Sequence, residues 1–157
     1  MGVTMNHELL IDNYLSGPKL IRDAIAGMSQ KQLFARPIEG QWSTHEVICH
    51  LADCETLYAD RIKRVLAENN PVLPSLDPDN FVPRLSVASR EVEDELALIE
   101  AVRRQTGKIL RTLVDADWKR TGNHTTDGPL TVAALLTRIE SHIPHHVHFI
   151  REKRKAL

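Results

Sequence analysis

No apolar run in this chain approaches the roughly 18 residues that cross a bilayer, and no basic segment followed by an apolar one opens it. These absences argue against a membrane span and a secretory leader, and they place the protein in the cytoplasm. Charge imbalance is missing too. With 20 Lys and Arg against 21 Asp and Glu, no global field draws the chain to nucleic acid or to an anionic membrane. Cysteine is scarce: Cys49 and Cys54 lie five apart, which on a helix separates their Cα atoms by more than about 7 Å, too far for a disulfide. Both read as reduced thiols, in keeping with a cytosolic address. Strand-like alternation of useful length and internal repeats are also absent. Met1–Gly2 looks like a myristoylation start, but Asn6 stands where that signal requires Ser or Thr.

What is present fits one domain over residues 1–157, with 42% hydrophobic and 26% charged residues and enough length to bury a core. From His7 to Met28, apolar residues at three- and four-residue steps predict a helix, which Gly17–Pro18 is expected to kink or break. Trp42-Ser43-Thr44-His45-Glu46-Val47 is the sharpest local signal. Ser43 and Glu46 form a capping box, Trp42 and Val47 a hydrophobic staple, and a second helix starts there. Its apolar stripe of Val47, Leu51, Cys54, Tyr58, Ile62, Val65 and Leu66 includes His50, so a histidine points into the core. Prolines 71, 74, 78 and 83 keep the segment 69–84 from being helical throughout, and its length suits a lid across one end of a bundle. A third helix is expected over 86–114, with Glu91, Glu93, Asp94, Arg103 and Arg104 on its solvent face. Trp118 to Pro129 reads as a loop, and Leu130 or Thr131 opens a fourth helix to about Lys155, whose basic last turn suits the helix dipole. The fold class is all-α, a four-helix bundle with one long connection.

Half of the eight histidines fall in Ser141–Ile150. At about 100° per residue, His142 lies roughly 60° and His146 roughly 20° from Ile139 on the same side, inside the buried stripe. His145 turns to the flank and His148 to the far side. His142 and His146, with His50 from the second helix, therefore bring three imidazoles to one core. A lone buried histidine is more often a hydrogen-bonded core residue than a ligand, but three without partners would cost several kcal/mol. Neutral imidazoles around a divalent ion leave coordination positions open for water or substrate, as in a catalytic site. Pro144 between the two should free the Glu140 carbonyl and bend the helix, either aiming the rings, spoiling their spacing, or substituting His145 for one of them.

Glu46 reads as an outer acceptor or general base, although its capping role already accounts for it. Asp53 is a surface acid or an orienting group. Cys54 reads as core filler, with a nucleophile as the alternative. His124 reaches toward the site mouth, and His7, His45, His145 and His148 are placed on the surface or flank.

Trp42-Ser43-x-x-Glu46-x-x-x-His50-Leu51-x-Asp53, then His124 before Gly128-Pro129-Leu130-Thr131, then His142-x-x-His145-His146 resemble the DinB/YfiT-like superfamily over nearly the whole chain. The resemblance implies an up-up-down-down bundle with a long second connection. It also implies nickel or zinc held by one histidine of the second helix and a pair on the fourth, at positions matching His50, His142 and His146. Homodimers are common in that family. Its activities include thiol-dependent S-transfer with bacillithiol or mycothiol, mycothiol-dependent maleylpyruvate isomerisation, and a metal-dependent hydrolase. Pro144, and Ile150 where many relatives carry a glutamine before the apolar residue, depart from the pattern.

The resulting expectation is a cytoplasmic metal-dependent enzyme acting on a small molecule, with no nucleic-acid or membrane partner. Thiol-dependent S-transfer is the leading reaction, with a low-molecular-weight thiol as co-substrate; metal-dependent hydrolysis and a non-catalytic metal-binding or dimerising bundle are the alternatives.

Overall fold

A computed structural model describes residues 2–157. α1 (Gly2–Ile25) is followed by the single-turn α2 (Gln30–Phe34) and by α3 (Thr44–Ala67). At the start of α3 the capping box forms as expected. The Ser43 side chain accepts from the Glu46 amide at 3.1 Å, and Glu46 Oε2 accepts from the Ser43 amide at 2.7 Å, answering two amides that a helix end leaves unpaired. Two-residue β1 (Val72–Leu73), α4 (Pro78–Arg84) and a 3₁₀ turn (Val87–Ser89) make up the proline-rich connection. α5 (Val92–Leu110) begins six residues later than its periodicity suggests. α6 (Asp115–Trp118), β2 (Thr121–His124) and β3 (Gly128–Thr131) lead to α7 (Val132–Lys155), whose N-cap is Thr131.

The expected loop before the last helix is thus a hairpin. β2 pairs antiparallel with β3 and parallel with β1, giving a three-stranded sheet in the order β1-β2-β3. Its strands are too short to show alternation in the sequence. The hairpin fixes His124 opposite Gly128 and beside Leu73.

α1, α3, α5 and α7 form a four-helix bundle whose core falls into two clusters. Ile11 and Tyr14 of α1 pack with Ile62 and Val65, Leu110, and Leu135 and Ile139; Ile21 and Ala24 pack with Val47 and Ile48, Leu96 and Ile99, and Val147 and Ile150. Early α1 therefore meets early α7 and the late turns of α3 and α5. Cross-links agree: Arg111 binds Glu8 and Asp12, Arg22 binds Glu100, and Arg154 Nη1 donates to the Ala24 carbonyl. The chain order is up-down-down-up, which corrects the up-up-down-down order. Two consecutive parallel pairs would need two crossovers; this chain has one, between α3 and α5.

The Gly17–Pro18 break is also absent, and α1 runs through both residues. Proline removes the amide that would bond the carbonyl four residues back, here that of Tyr14. Arg103 supplies the missing donor: its Nη1 bonds the Tyr14 carbonyl, its Nη2 donates to the Ile139 carbonyl at 3.0 Å, and its Nε donates to Glu55 Oε2 at 2.9 Å. Arg103 is 1% exposed, a correction to its placement on the outer face of α5. Gly17 admits this guanidinium, since a Cβ there would collide with Arg103 Nη1 and lie 3.1 Å from Ile143 Cδ1. α7 likewise continues through Pro144.

Candidate metal centre

His50 and Cys54, one turn apart on α3, face His142 and His146, one turn apart on α7. Nε2 of His50 and Nε2 of His142 are 3.1 Å apart. Ring centroids are separated by 5.0 Å for His50–His142, 4.9 Å for His50–His146 and 4.6 Å for His142–His146. Cys54 Sγ lies 3.7 Å from His50 Nδ1 and 3.8 Å from its Nε2. One donor atom each from His50, Cys54 and His142 falls within a 4.8 Å span. His146 closes the cluster edge-on against both rings, but its nitrogens are outside that three-donor set. Cys54, which by size suits core filler, brings a sulfur into the cluster, and its place one turn after His50 on the same stripe is the sequence signal for it.

Electrostatics keep these rings neutral. Burial first, then His146 and His50, push His142 down to about 3; burial and His50 push His146 down to about 4. Burial also lowers His50, against the opposing pull of Asp53 and Asp79, and it raises the Cys54 thiol to about 12. The unfolded chain takes up histidine protons near pH 6.5, whereas the folded rings resist until far lower. Stability is therefore complete above about 6.5 and is lost as the pH falls toward 4. Thermal melts of chelator-treated protein from pH 7 to 4.5 are expected to show this loss, and His142→Gln should flatten it.

The donor set fits a divalent ion. Nitrogens bound at 2.0–2.1 Å in a tetrahedron are about 3.3 Å apart, and a sulfur at 2.3 Å lies about 3.6 Å from such a nitrogen; the observed pairs are 3.1 and 3.8 Å. Nδ1 of His142 is buried without a hydrogen-bond partner among the described residues, and an ion at Nε2 would leave it so. Neutral imidazole is the form a metal requires.

The histidines form one wall of a cavity of about 520 Å³, whose other walls include Trp42, Tyr58, Arg61, His124, Asp127 and Arg138. His124 does face the site mouth. Glu46 does not line this cavity. Burial works against its charge, but contacts with Arg36 and Ser43 hold its carboxyl below the usual range. Asp53 pairs with Arg90 Nη2 at 2.9 Å and ties the long connection to α3. His45, expected on the flank, is 1% exposed: its Nε2 lies 2.7 Å from the Arg90 carbonyl oxygen, and its ring stacks on Phe34 at 4.0 Å. Lys153 is likewise buried, its amine depressed by desolvation, beside His146 and Trp42 in a second cavity of about 280 Å³.

Residues 15–150 match the model of the DinB superfamily. A protein of Oceanobacillus iheyensis, provisionally named a metal-dependent hydrolase, is 29% identical over 85% of this chain and 77% of its own length. A Bacillus cereus protein under the same provisional name is 27% identical over 96% and 88%. Among solved structures, Bacillus subtilis YfiT, provisionally described as a metal-dependent hydrolase of unusual four-helix bundle topology, superposes with a TM-score of 0.88 at 25% identity, covering 95% of this chain and 86% of YfiT. TT2238, a four-helix bundle protein, gives 0.66 at 18% identity over 93% of this chain and 98% of its own, a likeness of fold.

Proposed function

The chain belongs to the DinB superfamily, and on that premise we propose that it is a metal-dependent hydrolase of small molecules, with a divalent ion held by His50, Cys54, His142 and His146. The observation that carries the proposal is the convergence of the His50, Cys54 and His142 donor atoms on one wall of the 520 Å³ cavity. A sulfur donor among imidazoles suits nickel or zinc better than magnesium or calcium. When bound, such an ion supplies Lewis acidity and lowers the pKa of a bound water.

The remaining chemistry belongs to the chain. Burial holds His142 and His146 in the neutral, metal-ready form. Trp42, tilted against His50 at 5.2 Å, and Tyr58 offer apolar surface to a substrate and limit its contact with water. His145, whose ring centroid lies 5.2 Å from that of His146, lines the cavity and is able to pass a proton there. Glu46 is given no part in the reaction, because its carboxylate is held by Ser43 and Arg36 outside the cavity. Thiol-dependent transfer would use the same donor cluster, and the names of the relatives favour hydrolysis over it.

Chelator-stripped protein, reloaded with zinc or nickel, is to be assayed on 4-nitrophenyl esters with and without an added thiol. Turnover is expected only after reloading, without thiol, undiminished in Glu46→Gln and lost in His142→Ala. Equal turnover by stripped protein or by His142→Ala would refute the proposal, and a strict thiol requirement would replace hydrolysis with transfer.

A further inference from the structure

Arg61 stands out on the cavity wall. At about 100° per residue, His50, Cys54, Tyr58 and Arg61 fall within roughly 80° on one face of α3, and Arg61 lies about 16 Å along the axis from His50. The side chain is 6% exposed. Its Nη2 donates to the Pro74 carbonyl, and its guanidinium carbon sits 4.8 Å from the Tyr58 ring centroid. None of its five N–H groups meets a carboxylate among the described residues. Arginine stays charged in proteins, and a buried charge without a counter-ion is costly. Here the charge is held in place by neutral groups and opens onto the cavity that the histidines share.

A second donor lies on the same wall. Nδ1 of His124 accepts backbone N–H groups from Asp127 at 3.3 Å and Thr126 at 3.4 Å, which assigns the proton of the neutral ring to Nε2. Nε2 has no protein partner among the described residues. Burial and the nearby Arg61 disfavour the charged form of this ring. Arg138, also on the wall, pairs with Asp127 at 2.6 Å. Two guanidiniums against one carboxylate leave this end of the cavity with one positive charge.

We propose that Arg61, the Nε2–H of His124 and the Arg138–Asp127 pair form a monoanion subsite at the end of the cavity remote from the histidines, and that the substrate is an ester or amide bearing a carboxylate several bonds from the carbonyl that is cleaved. The substrate class rests on the hydrolase reading; the subsite does not. A single net charge matches a carboxylate, whereas a dianionic phosphate would leave one negative charge unanswered in a partly desolvated site.

Calorimetric titration of chelator-stripped protein separates the two, because a carboxylate then has no metal to bind. The probes are 4-phenylbutyrate, its neutral isostere 4-phenylbutyramide, and phenyl phosphate. Tighter binding of the acid than of the amide by at least about tenfold is expected, with phenyl phosphate no tighter than the acid. Arg61→Gln should erase the preference, and Arg138→Gln, at an exposed position that is less demanding on folding, should weaken it. Equal affinity for acid and amide, a preference that survives both substitutions, or markedly tighter binding of phenyl phosphate would overturn the proposal. Failure of the hydrolase assays alone would leave this binding result standing.

Discussion

Replacing Arg103 with methionine is expected to destabilise the protein by about 3–5 kcal/mol, the range seen when one partner of a buried ion pair is removed. For a chain of this size that corresponds to a fall in melting temperature of roughly 6–20 °C. Three elements lose their tie at once. The Tyr14 carbonyl, deprived of its helical partner by Pro18, is left without a donor; the Ile139 carbonyl loses its cross-link from α5; and Glu55, 1% exposed, keeps only the 2.7 Å hydrogen bond from the Tyr14 hydroxyl. Burial already raises the Glu55 pKa, and Arg103 opposes that rise, so the lone carboxyl should take up a proton more readily than in the parent. The double variant Arg103→Met, Glu55→Gln removes the stranded charge and should recover part of the loss. Thermal and urea melts of both variants decide the matter: a single variant as stable as the parent would mean that the triad contributes nothing.

The second large effect concerns chemistry. His142→Ala is expected to lower kcat/KM for ester hydrolysis by the reloaded protein about a thousandfold or more, equivalent to about 4 kcal/mol of transition-state stabilisation. The substitution removes the Nε2 that lies 3.1 Å from His50 Nε2, and with it the pair of nitrogens able to share an ion. The fold should survive, since His142 is only partly buried and its Nδ1 has no partner to lose. Cys54→Ser is expected to act more mildly, weakening metal affinity while leaving the three imidazoles in place. In the cobalt-substituted protein it should also abolish the sulfur-to-metal charge-transfer band. Retention of that band in Cys54→Ser would exclude Cys54 as a donor.

Local and periodic features were legible in the sequence, and features created by distant partners were not. The Ser43–Glu46 box is a contact across three residues and could be read as such. Inward placement of His50, His142 and His146 follows from helical period alone, and it survived Pro144 because α7 continues through the proline. Arg103 falls four residues after Ile99 and three before Thr106, on the buried stripe, so its charge and not its period accounts for the outward reading; the partner that draws it inward, Glu55, is 48 residues away. Pro18 looked like a breaker for the same reason, since the donor that relieves it is on another helix. His45 was put on the flank because nothing local announces the Arg90 carbonyl that receives it. The hairpin of β2 and β3 is four residues a side, too short for alternation to emerge. Helix direction depends on which consecutive helices run parallel, and connection length does not reveal it: the α5–α7 connection, residues 111–131, is nearly as long as the α3–α5 crossover, residues 68–91.

Elemental analysis of the untagged protein, purified without added metal beside His50→Ala and His142→Ala, tests the central claim most directly. About one zinc or nickel per chain in the parent, and loss from both variants, is the predicted result. A parent that holds no metal even after reconstitution, or variants that hold as much as the parent, would contradict the metal centre and the hydrolase reading built on it.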